Sequence, residues 1–261
     1  MASTSTTSPT SASGWAQALA GQGTAFGTFA LLPCTAAAEA VAATGFDFVL
    51  VDQQHGLAGS DALVPLLQAL HAGGTAPVVR VPANDPAWIG KALDSGADAV
   101  VVPMVESAQE AERAVRACRY PPHGTRSYGP TRAALLRGWG IRRLEDTACL
   151  VMIETAAGVA QADAIAATKG VDGILIGPTD LAISLGLGPG VSPGHPAHEQ
   201  AVQHVLAACQ RAGITAGIQT STAADAAHRA EQGFRIISAR SELALLRFAA
   251  RDLLHGMRSG A

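Results

Sequence analysis

Lysine is nearly missing from this chain of 261 residues: only Lys91 and Lys169 occur, against sixteen arginines. No basic block stands out, and 18 basic against 21 acidic residues leave a formal charge of −3. Nucleic acid and anionic membranes are therefore poor partners. Aromatic residues make up 4%, so the core must be built from Ala, Val, Leu and Ile, which suits parallel strands covered by helices. The four cysteines, Cys34, Cys118, Cys149 and Cys209, form no CxxC pair. That argues against a zinc site or a disulfide framework and for free thiols in a reducing compartment. No apolar run reaches the roughly 18 residues of a membrane helix. The opening MASTSTTSPTSASG has neither a cationic segment nor an apolar one, and no arginines. Residues 1–14 are expected to be a disordered tail on a cytoplasmic protein, ahead of one domain over 15–261.

What is present is a rhythm of short β-branched runs followed by Ala/Leu-rich stretches. Strands are expected at 46–52, 76–81, 98–104, 148–154, 171–177, 213–219 and 234–240, with a weaker one at 24–32. Helices are expected at 59–72, 86–95, 106–118, 157–168, 197–212, 222–232 and 241–257. Eight strands alternating with helices predict an α/β protein, a closed (β/α)8 TIM barrel. A doubly wound open sheet competes, but no GxGxxG follows the first strand. Residues 119–147, rich in Gly, Pro and Arg, contain no strand pattern. Such an insertion reads as a lid, an intersubunit segment or a mobile surface loop.

In a barrel the chemistry sits at the C-terminal ends of the strands. The second strand delivers Asp52 and then His55, the third Arg80, the fifth Glu154, and the sixth runs into Gly177-Pro178-Thr179-Asp180. Asp52 and Arg80 are 28 residues apart and Glu154 and Asp180 are 26 apart, about one strand–helix unit each, so each pair should stand on adjacent strands. Two carboxylates without nearby His or Cys suggest a hard divalent ion. The bland alternative is a salt bridge from Glu154 or Asp180 to Arg80. A lone histidine is more often structural than catalytic, but His55 follows an apolar strand three residues after Asp52, the place of a general base with a carboxylate nearby. Arg80, flanked by valines, suits a carboxylate or an enolate oxygen. Neither lysine ends a strand, so Schiff-base chemistry is not expected. The remaining histidines carry no evident role.

The segments FDFVLVDQQHG (46–56), PVVRVPANDP (77–86), LDSGADAVVVPMV (93–105), AVRACRYPPHGTRSYGP (114–130), VMIET (151–155) and VDGILIGPTDLAISLG (171–186) closely resemble the HpcH/HpaI family of metal-dependent (class II) aldolases. These include 4-hydroxy-2-oxoheptanedioate and 2-keto-3-deoxy-sugar-acid aldolases. The resemblance implies a barrel whose eighth helix is exchanged between subunits, and a homohexamer built from such dimers. It implies His55 as base, Arg80 as transition-state stabiliser and Asp94 as the carboxylate that raises the histidine's basicity. Asp52 stands beside that base. Glu154 and Asp180 would ligate Mg²⁺, Mn²⁺ or Co²⁺. Arg80, Met152 and the Gly177-Pro178-Thr179-Asp180 turn would face the substrate, with the Thr179 N–H on its carboxylate. The implied reaction is reversible cleavage of a 4-hydroxy-2-keto acid to pyruvate, or a relative such as hydroxypyruvate, and an aldehyde. Alternatives are an acyl-CoA lyase of the malyl-CoA or citramalyl-CoA kind, for which no basic groove is evident, and a non-catalytic barrel. The chain departs from many members twice: Gln54 replaces an acidic residue beside the base, and Met152 replaces a glutamine.

Overall fold

A computed structural model describes residues 14–189 and 194–259. The expected tail lies outside the described residues except for Gly14, which begins a helix. Eight strands close into one parallel barrel in chain order: β1 (Ala25–Ala30), β2 (Phe48–Asp52), β3 (Ala76–Arg80), β4 (Ala99–Val102), β5 (Ala148–Ile153), β6 (Gly173–Ile176), β7 (Thr215–Thr220) and β8 (Ile236–Ser241). The helices are α1 (Gly14–Leu19), α2 (Thr35–Ala42), α3 (Ser60–Ala72), α4 (Pro86–Asp94), α5 (Ala108–Cys118), α6 (Thr131–Arg137), α7 (Ile141–Leu144), α8 (Ala156–Ala160), α9 (Ala162–Ala166), α10 (Pro178–Ser184), α11 (Pro196–Ala212), α12 (Ala223–Gln232) and α13 (Glu242–Ser259). The barrel expectation holds. The helix expected over 157–168 is two short pieces, α8 and α9, divided at Gln161. Among the described residues no helix is long and apolar enough to cross a membrane.

Side chains alternate across each strand, and the sequence uses both parities for apolar residues. Val49, Val51, Val79, Val100, Val151, Ile153, Ile174 and Ile176 pack outward beneath the helices. Phe48, Leu50, Val78, Val101, Leu150, Met152 and Leu175 fill the interior. The floor is closed by α1, whose Trp15 ring lies 5.2 Å from that of Phe48. The Thr215 hydroxyl donates to the Ala18 and Leu19 carbonyls. Helix starts are marked by polar caps: Asp85, Ser107, Thr155 and Thr222 each accept a first-turn N–H, worth about 1 kcal/mol apiece.

The insertion 119–147 folds into α6 and α7 and is stitched to the N-terminal end of the barrel. Arg132 donates to the Ser95 carbonyl, and Arg137 to the Ala97 carbonyl and the Asp98 carboxylate. A lid over this chain's own strand C-termini is thereby excluded, because the insertion sits at the opposite end. Leu135 and Trp139 on it are 80% and 63% exposed.

The last helix behaves unlike the others. Along α13 apolar side chains face solvent, among them Leu246, Leu253 and Met257. The outer wall between β8 and β1, where an eighth helix would pack, is instead an apolar groove of about 540 Å³ lined by Phe26, Phe46, Ala226, Ile237, Ala239 and Leu245.

Candidate active site

The alternation that fills the interior also decides what stands at its top. Asp52 shares parity with Phe48 and Leu50, Arg80 with Val78, Glu154 with Leu150 and Met152, and Gly177 with Leu175. All therefore turn inward at the C-terminal mouth, one layer above the apolar fill.

Asp52 and Arg80 are register partners across β2 and β3. The guanidinium donates twice to the carboxylate, Nε to Oδ1 at 2.9 Å and Nη2 to Oδ2 at 2.6 Å. Both side chains are buried, which makes this a charge-assisted fork. Arg80 thus pairs with Asp52, and the alternative bridge to Glu154 or Asp180 does not form. Its remaining Nη1 points at the Met152 sulfur, 3.7 Å away, and its face lies 5.3 Å from the Phe29 ring centre.

Asp52 also shapes the turn that carries His55. Its Oδ1 accepts the backbone N–H groups of Gln54 and His55, an Asx-type turn. Gly56 is required there because a Cβ would overlap the Asp52 carbonyl oxygen. The Leu57 N–H closes the loop onto the Leu31 carbonyl. His55 is exposed at the mouth, and Asp52 meets it through the backbone. Gln54 Oε1 is buried with no donor among the described residues.

Glu154 is 2% exposed. Its Oε1 accepts the Met104 N–H at 2.9 Å, and no described donor reaches Oε2. Met104 holds a left-handed backbone, φ 56°, unusual for a residue with a Cβ and typical of strain kept at a site. Gly177 stands against the same carboxylate, since a Cβ there would come within 2.6 Å of Glu154 Oε2 and 3.2 Å of Met152 Cε. Burial raises the Glu154 pKa, as does the Asp180 charge, while the Met104 N–H, Arg80 and His55 pull it down; the net shift is upward. Asp180, Arg80 and His55 therefore all lie close enough to act on Glu154. Asp180, in the first turn of α10, is exposed.

Among the described residues no group of three or more His, Cys, Asp and Glu side chains forms a metal site. The residues present still fit one hard cation: the Asp180 charge adds to the cost of ionising the buried Glu154, Glu154 has an undonated oxygen, and the nearby guanidinium is already paired with Asp52. The protein would supply two oxygen donors, leaving positions for water and substrate, as such ions prefer.

Asp94 is not brought to this constellation. It ends α4 at the opposite end of the barrel, where Arg126 donates to it at 2.6 Å. The part of Met104, whose N–H serves Glu154, was not readable beforehand; a backbone turn leaves no signal in residue type.

A family model described as HpcH/HpaI aldolase/citrate lyase matches residues 25–249. The chain belongs to the HpcH/HpaI aldolase family. A hydroxypyruvate/pyruvate aldolase of Chromohalobacter salexigens is 39% identical over 235 residues, spanning 88% of this chain and 91% of that protein. A 5-keto-4-deoxy-D-glucarate aldolase of Salmonella paratyphi C is 37% identical over 241 residues, 90% and 93% of the two chains. The crystal structure of an HpcH/HpaI family protein from Burkholderia cenocepacia matches with a TM-score of 0.86 at 35% identity, covering 93% of this chain and 98% of that one. This aldolase-family enzyme is thus matched over nearly its full length, with the site residues inside the matched span.

Proposed function

We propose that the enzyme cleaves 4-hydroxy-2-keto acids reversibly to pyruvate or hydroxypyruvate and an aldehyde, using a divalent ion held by Glu154 and Asp180. The observation that carries this is the buried Glu154 carboxylate with a free Oε2 beside Asp180, while Arg80 spends Nε and Nη2 on Asp52 and does not pair with Glu154. Mg²⁺, Mn²⁺ and Co²⁺ suit an all-oxygen donor set. A bound ion supplies Lewis-acid polarisation of the substrate's 2-keto oxygen.

The chain's own residues do the rest. His55, exposed at the mouth, accepts the 4-hydroxyl proton on a ring nitrogen. The C3–C4 bond then breaks, the aldehyde departs, and the electron pair passes into the enolate of the 2-keto acid. Arg80 Nη1, opposed only by a thioether, is the donor left for that developing oxyanion. Its position is fixed beforehand by Asp52, so no reorganisation is needed. His55 returns the proton to C3. The Thr179 N–H lies in the first turn of α10, where no helical acceptor precedes it, and suits the substrate carboxylate.

The exposed apolar face of α13 and the vacant groove on the β8–β1 wall are complementary within one sequence, which supports exchange of this helix between two copies. The apolar surface of the insertion supports further association into a hexamer. Asp94, held at the far end of its own barrel, can act on a His55 only across such a subunit boundary. Four free cysteines, three of them buried, fit the cytoplasm.

Pyruvate release from a 4-hydroxy-2-keto acid should vanish with EDTA and return with Mn²⁺, and borohydride should trap no pyruvate on the protein. Activity that survives EDTA, with pyruvate fixed to Lys91 or Lys169, would overturn the reading.

A further inference from the structure

Helix α11 carries a fully buried histidine that the mechanism does not use. His198 is 0% exposed, and its Nε2 lies 2.9 Å from the Pro178 carbonyl oxygen. A carbonyl only accepts, so Nε2 is the donor in this contact. Nδ1 is buried without a partner among the described residues. A leucine of similar bulk would fill the same space with no orphaned nitrogen, so packing alone does not account for the imidazole. The bond to Pro178 does.

That carbonyl sits two residues before Asp180. The turn leaves β6 with the Gly177 N–H on the Ile153 carbonyl. Pro178, lacking an N–H, cannot be tied down from its nitrogen. His198 grips it from the other side. Its platform is itself fixed: the neighbouring Glu199 accepts from Arg229 on α12 at 2.7 Å and from Gln203 at 3.0 Å. The turn that leads to Asp180 is thus held at Gly177 by the strand leading to Glu154 and at Pro178 by α11.

We propose that His198 is a positioning residue for the ion site: by holding the Pro178 carbonyl it sets the Asp180 carboxylate relative to Glu154. The inference rests on the reading of those two carboxylates as ion ligands. Partners behind ligands commonly change ion affinity 10–100-fold when removed.

The test is Mn²⁺ titration of the full-length protein, followed by electron paramagnetic resonance, with amide hydrogen exchange over residues 176–184 as a second readout. His198→Leu should bind Mn²⁺ at least about tenfold more weakly, exchange faster over that turn, and raise KM for the keto acid more than it lowers kcat. His198→Gln, whose amide reaches the same carbonyl, should stay close to wild type; His198→Asn, one methylene shorter, should resemble the leucine variant. A folded His198→Leu with wild-type Mn²⁺ affinity overturns the inference. Should the leucine variant not fold, equal affinities for the Gln and Asn variants overturn it instead. Wild-type protein that binds no Mn²⁺ refutes the ion site itself, and the positioning role with it.

Discussion

Asp52→Asn separates two roles that one carboxylate can play. In the structure both oxygens of Asp52 are committed, Oδ2 to Arg80 Nη2 and Oδ1 to Arg80 Nε and two backbone N–H groups. Asparagine keeps the shape and can keep the Oδ1 bonds. Its NH₂ group would then face the Arg80 Nη2 at 2.6 Å, donor against donor. The guanidinium must turn or remain buried and unpaired. Breaking one partner of a buried pair costs about 3–5 kcal/mol, a large part of a total stability of about 5–15 kcal/mol. In a domain this size that lowers Tm by roughly 10 °C. A misplaced Arg80 should lower kcat by about 100-fold. Urea unfolding and steady-state kinetics measure both effects. A double-mutant cycle with Arg80→Met should show coupling of about 1–3 kcal/mol. If Asp52→Asn left stability and the Arg80 coupling untouched and shifted only the basic pKa in the pH–rate profile, Asp52 would be the carboxylate of His55 and not the clamp of Arg80.

Arg80→Lys should keep the fold and lower kcat by about 10²–10³, since an ammonium cannot hold Asp52 with two donors and aim a third; near-normal kcat would remove Arg80 as enolate stabiliser. Met152→Gln should lower KM for pyruvate in the aldol direction about fivefold, the worth of one added hydrogen bond of about 1 kcal/mol, and narrow the donor range; no change would show that Met152 does not select. Burial of Glu154 raises its pKa above the ordinary 4.5, so native protein without the ion holds a proton that the unfolded chain has lost. Its stability should therefore fall as pH rises from about 4.5 through that raised value. Saturating Mg²⁺ should flatten the slope, and a slope of opposite sign in urea midpoints would contradict the burial of an unpaired carboxylate.

Much of this was legible because the barrel imposes simple rules. Strands buried on both faces read as continuous Val/Ile/Leu runs, and the 28-residue step from Asp52 to Arg80 is the register pair of β2 and β3. The identity of Arg80's partner was not legible: spacing places Asp52, Glu154 and Asp180 at one mouth but does not say which is within reach of a fork. The place of 119–147 was missed for a related reason. Its arginines bond mostly to backbone carbonyls and to Asp94 and Asp98, and a carbonyl has no letter in the sequence. His198 looked like any histidine on a helix, because its partner is likewise a carbonyl.

The packed interior beneath Met152 makes the site a blind alley. With Phe48, Leu50, Val78, Leu150 and Leu175 filling the barrel below and Trp15 sealing its floor, traffic has one doorway. If Glu154 and Arg80 hold the keto acid as proposed, it lies deepest, and the aldehyde lies between it and the exit. The aldehyde should then leave before the keto acid, and in synthesis the keto acid should enter first. Sequential, ordered kinetics are the expected outcome of the alternation of side chains along eight strands, and product-inhibition patterns check it.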